Sequence, residues 1–184
     1  MNVSPQSPSF RFYMKLEEFI LTRLVPFEKP GPFFKWLFKA PLLHYSLGLG
    51  WMVGRLFLVL TTTGRKSGKL RRTPLEYNYD PSSDTYVIVG GWRGKTDWFK
   101  NVCANPNVEV WVGRRKFKAR AERMTDAEVA AWMGGVIRIN PGSTAMWSRW
   151  GGEQVSDSPE VLLRVAKNFP SFRLKVVRDG IPQP

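Results

Sequence analysis

Apolar side chains recur at helical spacing in the first part of the chain. Residues 10–25 carry them on one helical face, which predicts an amphipathic helix that ends at the prolines that follow. Residues 33–39 are dense in Phe, Trp and Lys and predict one short second helix. Residues 1–9 are polar and contain two prolines, which indicates a loose tail. We therefore predict that residues 1–50 form an N-terminal tail and an amphipathic helical segment, followed by one further domain over residues 51–184.

From residue 56 onward the pattern changes to short apolar runs separated by turn residues, which is typical of β-strands. The predicted strands are residues 56–62, 71–79, 85–89, 108–112, 116–122 and 172–177. Their connections are too short for repeated β-α-β crossovers, so about six mostly antiparallel strands are expected. An α+β barrel with peripheral helices is therefore favoured over a Rossmann sheet.

Three helices are predicted among these strands. The first covers residues 97–103, just after the third strand. The second begins at Thr125, which together with Glu128 has the spacing of a capping box, and runs toward residue 140. The third begins at Ser158, followed by a proline at the first helical position, and ends near residue 169.

A loop rich in cations and small residues, from Thr61 to Pro74, joins the first two predicted strands. The stretch between Gly54 and Leu75 contains six basic residues and no acidic one: Arg55, Arg65, Lys66, Lys69, Arg71 and Arg72. Glycines would let backbone N–H groups face an anion, Ser and Thr add hydroxyl donors, and Arg offers a bidentate fork for phosphate or carboxylate. The pattern predicts an anion-binding loop, and its alternative is a solvated, charged hairpin turn.

Composition narrows the chemistry without choosing the ligand. The 184 residues include 28 Lys and Arg against 15 Asp and Glu, and this net charge of +13 attracts nucleic acid, an anionic membrane surface or an acidic small molecule. With Cys103 and His44 as the single cysteine and histidine, we expect no intramolecular disulfide, no metal site and no His-based catalytic arrangement. An organic cofactor is therefore the candidate for any chemistry, and a cytoplasmic, reducing compartment is compatible with this cysteine content.

The N-terminus lacks the pattern of a secretory signal, and we expect no transmembrane segment. Residues 40–54 carry no Asp, Glu, Lys or Arg, but this stretch is too short and too broken by Pro and Gly to span a bilayer. The aromatic and basic residues 33–39 suit a membrane interface, and they suit equally well a helix that packs on the domain. Peripheral contact with the inner face of the cell membrane therefore stays an open alternative.

Four stretches together resemble the deazaflavin-dependent nitroreductase and quinone reductase family. They are residues 58–68 with 72–75, residues 86–92, residues 97–101 with 104–106, and residues 108–110 with 113–115, in that order and spacing. The resemblance covers roughly residues 33–130 and implies that residues 51–184 are a cofactor-binding split β-barrel, the FMN-binding split-barrel-like fold. It also implies an F420H2-dependent oxidoreductase, which transfers a hydride from the reduced deazaflavin coenzyme F420 to a quinone, nitroaromatic or similar conjugated acceptor.

By this resemblance, the anion held by the basic loop is the phosphodiester and oligoglutamate tail of the coenzyme. The implied cofactor-binding residues are Arg65, Lys66, Ser67, Arg71, Arg72, Thr73, Pro74, Leu75, Gly90, Gly91, Trp92, Arg93, Asp97, Trp98, Phe99, Lys100 and Asn101. The basic and hydroxyl members of the loop would hold the tail, and the glycine pair would let the ring approach the strand backbone. No catalytic residue is assigned: C-terminal tyrosines are implicated near the acceptor in some relatives, whereas this chain has no tyrosine after Tyr86.

Two other functions stay open. FMN could replace F420 in the same barrel, although its single phosphate would use fewer of the six cations. A non-catalytic basic module could bind an anionic membrane or nucleic acid. Nucleic acid is not expected, because the aromatic residues do not interleave with the basic loop and the common nucleic-acid-binding motifs are missing. A homodimer is expected by analogy, since it is common among split barrels.

Overall fold

The structure, a computed structural model, describes residues 39–54 and 56–177. They divide into two units, one made of residues 39–54, 56–124 and 170–177 and the other of Thr125–Phe169. The predicted tail, the helix predicted over residues 10–25, nearly all of the helix predicted over residues 33–39, and Arg55 lie outside the described residues. Within the described ranges, no helix is both long enough and apolar enough to cross a membrane.

The larger unit consists of two short helices followed by strands. The helices are α1 (Ala40–Ser46) and α2 (Gly50–Val53). The strands are β1 (Phe57–Thr63), β2 (Leu70–Glu76), β3 (Asn78–Asp80), β4 (Thr85–Val89), β5 (Asn107–Val112), β6 (Arg115–Arg123) and β7 (Ser171–Val176). A 3₁₀ turn at Trp92–Gly94 and helix α3 (Asp97–Ala104) connect β4 to β5.

All pairings in the sheet are antiparallel, in the order β2-β1-β5-β6-β7-β4-β3. Strands β2 and β4 contact each other although four strands separate them in this order, so the sheet is curled into a split β-barrel. Side chains alternate between the two faces. The inner face carries the fully buried Leu58, Leu60, Val110, Ile88 and Leu174, which form the core together with α3. The prediction of an α+β split barrel is confirmed.

Within the described ranges the sheet has seven strands, where about six were expected. The difference lies in residues 71–79, for which the pattern predicts one strand. The chain changes its pairing partner at Tyr77, because β2 pairs with β1 whereas β3 pairs with β4. The Tyr77 hydroxyl donates a 2.5 Å hydrogen bond to the carbonyl of Gly54 at this point. The alternation of apolar residues continues through Tyr77, so the sequence pattern does not show the change of pairing partner.

The second unit is helical and contains α4 (Asp126–Ile139), α5 (Ser143–Gly151) and α6 (Pro159–Ala166). The predicted capping box exists: the amide of Glu128 donates to Thr125 Oγ1, and the Glu128 carboxylate accepts from the amide of Thr125. Helix α5 was not predicted, because the Asn-Pro-Gly that precedes it reads only as a stop signal. The Trp147 ring of α5 packs edge-on against Phe169, with 4.8 Å between ring centroids.

Candidate functional site

The basic loop, residues 64–69, closes on itself through its own backbone. The amide of Gly64 donates to the carbonyl of Lys69 at 2.9 Å, and the amides of Ser67 and Gly68 both donate to the carbonyl of Gly64. Gly68 has a φ of +65°, a conformation that glycine adopts without strain. These amides were expected to face an anion, but the carbonyls of the loop already accept from them. The groups that the loop presents to a ligand are therefore mainly side chains.

Arg65 ties this loop to the first turns of α3. Its amide and its Nη1 both donate to Asn101 Oδ1, at 3.2 and 3.0 Å, and its Nη2 lies 3.0 Å from Asp97 Oδ1. Asn101 is 4% exposed, and its amide nitrogen donates at 3.4 Å to Oγ1 of the buried Thr62 on β1. Loop, strand and helix thus meet at one buried asparagine. The role of Thr62 was not anticipated, because nothing in the spacing links residue 62 to residue 101.

Strand β2 sends its predicted site residues to two different faces. Arg71, Thr73 and Leu75 lie directly opposite Thr62, Leu60 and Leu58 of β1 and therefore share the inner face. Arg72 and Pro74 lie opposite Thr61 and Val59 and share the outer face. The structure therefore brings Arg71 to the basic loop, while Arg72 lines an outer groove with residues of α1 and Trp111. The two-residue period of a strand separates them.

The chain between β4 and α3 is strained. Trp92 and Arg93 have φ of 51° and 54°, in the left-handed region, and Gly94 follows at 72°. Such a conformation costs about 1–3 kcal/mol for each non-glycine residue, and it persists only where the surrounding structure imposes it. Strain of this kind is frequent at ligand sites. Trp92 and Arg93 therefore stay candidates for contact with a ligand ring.

Phe99 fills the space beside Gly90, and both members of the aromatic pair, Trp98 and Phe99, are buried. A Cβ on Gly90 would lie 2.7 Å from Cδ2 of Phe99, so the space over this glycine is filled by protein. Trp98 and Phe99 are both buried, and Phe99 packs on Phe172 with ring centroids 4.9 Å apart. The absence of a side chain at Gly90 therefore makes room for the ring of Phe99. Gly91 is half-buried and precedes the strained turn.

The N-terminus of α3 adds a polar group that the sequence did not single out. Thr96 is the N-cap residue, and its side chain makes no capping hydrogen bond. Its Oγ1 is buried and has no hydrogen-bond partner among the described residues. A buried polar atom in this state usually bonds to a water or to a ligand group. Thr96 directly precedes Asp97, the partner of Arg65, so this hydroxyl is a further candidate for contact with a ligand.

Most cations of the site lack a carboxylate partner. Arg65 pairs with Asp97, whereas Lys66, Lys69, Arg71 and Arg72 are exposed and form no salt bridge with any described residue. Exposed Lys100 lies one turn further along α3 and is likewise without such a bridge to the described part of the chain. The basic loop and the neighbouring parts of β2 and α3 therefore carry an excess of positive charge that suits a ligand with several anionic groups.

A tyrosine cluster covers part of the inner face at the other edge of the sheet. The Tyr86 ring lies 5.5 Å from Tyr77, 4.8 Å from Tyr79 and 5.5 Å from Phe117, measured between centroids. Burial raises the pKa of Tyr77 and of Tyr86, while the guanidinium of Arg115, which donates to the Tyr86 hydroxyl at 3.1 Å, opposes the rise for Tyr86. These phenols therefore stay neutral at physiological pH.

The residues of this site lie in the part of the chain that matches a known protein family. Residues 45–151 match the model described as F420H(2)-dependent quinone reductase, and this range contains the basic loop, the strained turn and α3. F420H(2)-dependent quinone reductase Rv1261c of Mycobacterium tuberculosis (strain ATCC 25618 / H37Rv) is 41% identical over 68 residues, which are 35% of this chain and 44% of that protein. The chain thus spans less than half the length of this relative. A solved F420-H2 dependent reductase, FDR-A, has 24% identity over 66% of this chain and 95% of its own, with a TM-score of 0.47.

Proposed function

Because the chain belongs to the F420H(2)-dependent quinone reductase family, whose model covers more than half of it, we propose that it is an oxidoreductase that uses coenzyme F420 to reduce a quinone. The observation that carries this proposal is the coincidence of the family match with the basic loop and α3. The tail of the coenzyme is a flexible polyanion, and the loop and the start of β2 offer Lys66, Lys69 and Arg71 for its phosphodiester and carboxylates. None of these three cations forms a salt bridge within the described part of the chain.

The residues present fit such a group. Arg65 offers a guanidinium fork, Ser67 a hydroxyl and Thr96 a buried hydroxyl without a partner in the described part of the chain. The strained turn at Trp92 and Arg93 would border the redox ring. When bound, the coenzyme supplies the hydride, so the side chains of this protein need to bind, orient and exclude water rather than react. Nitroaromatic compounds are a second acceptor class that we propose on the family resemblance.

Binding of the coenzyme is the direct test of this proposal. We expect the double variant K66A/R71A to bind F420 about ten- to a hundredfold more weakly than the unmodified protein, because each lost contact joins a cation to an anion. Titration followed by the fluorescence of F420 measures the change. The control K116A/K118A removes two cations from β6 and is expected to change the affinity less than about threefold, through long-range field alone.

Other outcomes of the same titration identify the alternatives. Binding of FMN in preference to F420 would assign the barrel to the FMN-dependent enzymes. Failure to bind either cofactor, together with tight binding to DNA or to anionic vesicles, would replace the enzyme by a non-catalytic basic module. Oxidation of F420H2 on addition of a soluble quinone or a nitroaromatic compound, followed by the absorbance of F420, then separates the two acceptor classes.

We also propose peripheral contact with an anionic membrane through α1 and α2. Leu43, Leu47 and Trp51 are exposed there, which is unusual for apolar side chains so close together in the chain. Leu43 lines the outer groove together with Trp111 and the exposed Arg72. Lys116, which pairs with Glu109 at 3.0 Å, lies opposite Trp111 across the β5–β6 pair. An apolar edge beside cations is the combination that binds an anionic bilayer surface.

Flotation with vesicles that contain phosphatidylglycerol tests this contact. L47E is expected to lower the vesicle-bound fraction several-fold, because it places a charge in the apolar edge and repels the lipid headgroups. The control L163E changes an exposed leucine of α6 and is expected to leave the bound fraction unchanged. Equal loss with both variants would mean that net charge, not this surface, determines binding.

The predicted homodimer stays a prediction.

A further inference from the structure

Arg65 differs from the other cations of the basic loop because a carboxylate of this chain already occupies it. Its Nη2 lies 3.0 Å from Asp97 Oδ1, and its Nη1 also approaches the carbonyl of Asp97 at 3.4 Å. Lys66, Lys69 and Arg71 have no such partner among the described residues. Within the described ranges, Asp97 is therefore the only acid that forms an ion pair with the loop. Its partner, Arg65, has the best geometry of these cations for binding a carboxylate or a phosphate.

The two sides of the Arg65 guanidinium have different environments. On the inner side, the buried Asn101 accepts from both the amide and Nη1 of Arg65, and this contact fixes the loop to α3. On the outer side, the Asp97 side chain is 87% exposed, while that of Arg65 is 28% exposed. An ion pair open to solvent is weak and exchanges readily, so the outer contact can be replaced while the inner one stays in place.

We propose that Asp97 is an internal competitor for the outer nitrogen of Arg65, so that an anionic ligand binds by taking the place of the Asp97 carboxylate. This proposal rests on the proposed function for the identity of the ligand, a phosphate- and carboxylate-bearing coenzyme tail. The Asp97 carboxylate has the same chemistry as a carboxylate of that tail, and it is tethered next to Arg65 at the first residue of α3. Asp97 therefore lowers the affinity for the ligand rather than contributing to it.

Competition by Asp97 affects how a ligand binds the cations of the loop and how tightly it binds. A ligand with several anionic groups can first bind Lys66, Lys69 and Arg71, and its local concentration then lets it displace Asp97. The affinity of any ligand that uses Arg65 is reduced by the fraction of protein in which the Arg65–Asp97 pair is closed. An exposed pair of this kind reduces affinity by roughly two- to fivefold, and repulsion between the carboxylate and the ligand adds to this.

The test is the variant D97N, which removes the charge and keeps the size of the side chain. We expect it to bind both F420 and inorganic pyrophosphate roughly two- to tenfold more tightly than the unmodified protein. Fluorescence titration measures the first and isothermal calorimetry the second. D97E keeps a carboxylate on the same residue and is expected to bind within about twofold of the unmodified protein. The matched control E122Q removes the acid that pairs with Lys175 at 2.8 Å, makes the same change in net charge, and is expected to leave both affinities nearly unchanged.

The outcomes separate this proposal from the proposed function. If F420 does not bind but pyrophosphate binds and tightens in D97N, the competition stands and the coenzyme assignment fails. If F420 binds to the unmodified protein and D97N leaves both affinities unchanged or weakens them, the coenzyme assignment stands and Asp97 instead orients Arg65. Equal tightening by D97N and E122Q would show that net charge alone raises the affinity, which also overturns the competition. R65A in the D97N background is expected to cancel the gain, because the competitor acts through Arg65 alone.

Discussion

N101A is expected to lower the free energy of unfolding by about 2–3 kcal/mol, one of the two large effects that we expect from single changes near the site. Asn101 is 4% exposed and joins three groups: it accepts from the amide and from Nη1 of Arg65 and donates to Thr62 Oγ1. Alanine removes all three bonds at once. It also leaves the buried Thr62 hydroxyl without this donor, and an unsatisfied buried group costs more than the lost bond itself.

Urea denaturation followed by circular dichroism measures this change. The control N107A alters an exposed asparagine of β5 and is expected to cost less than about 0.5 kcal/mol. N101A is further expected to weaken binding of F420, because the basic loop is then attached to α3 only through the contacts of Arg65 with the exposed Asp97. Stability equal to that of N107A would mean that the network around Asn101 contributes nothing, and the account of how the loop is positioned would then be wrong.

Local sequence patterns predicted the barrel because its strands are short apolar segments bounded by turn residues. Residues 57–60 of β1 form a continuous apolar run, which is typical of a buried strand, whereas Val108 and Val110 of β5 follow a two-residue period that places both on one face. Short turns between such strands leave antiparallel pairing as the simplest arrangement. The change of partner at Tyr77 could not be predicted, because the alternation of apolar residues continues through it and only the neighbouring strand differs.

The candidate site could be predicted only where its residues are close in sequence. The basic loop is one continuous stretch, so its charge is evident from the order of residues alone. The contacts of Arg65 with Asp97 and Asn101 join residues 32 and 36 positions apart, and no local pattern encodes such contacts. The separation of Arg71 from Arg72 is different in kind, because the alternation of a strand already implies that neighbouring cations face opposite sides of the sheet.

The second large effect is expected at Gly90, where G90A should lower the free energy of unfolding by about 2–3 kcal/mol and the melting temperature by roughly 5–10 °C. A Cβ here would lie 2.7 Å from Cδ2 of Phe99 and 2.7 Å from the carbonyl oxygen of Pro170. That oxygen accepts the hydrogen bond of the Gly90 amide at 2.7 Å, so it cannot move away without breaking a bond between the end of β4 and the start of β7. Phe99 is buried against Phe172 and has little room to rotate.

Scanning calorimetry measures this loss, and G135A is its control. Gly135 lies in helix α4, and the nearest neighbour of an added Cβ there is Arg138 Nη2 at 3.9 Å. Alanine at this helical position is expected to raise stability by about 0.5–1 kcal/mol, so the two variants should move in opposite directions. Similar melting temperatures for the two variants would show that Phe99 yields to the added methyl group.

Displacement of Phe99 is also expected to disturb the strained turn at Trp92–Gly94, so this stability effect is linked to ligand binding. A Cβ on Gly94 would lie 2.8 Å from Cε1 of Phe99, so the same ring fixes both ends of the segment that carries Trp92 and Arg93 in the left-handed conformation. G90A is therefore expected to weaken F420 binding as well as to destabilise the fold. If G90A melts at a lower temperature but binds F420 with unchanged affinity below its melting range, the strained turn does not contact the coenzyme. The redox ring of the coenzyme must then be held by the basic loop and α3 instead.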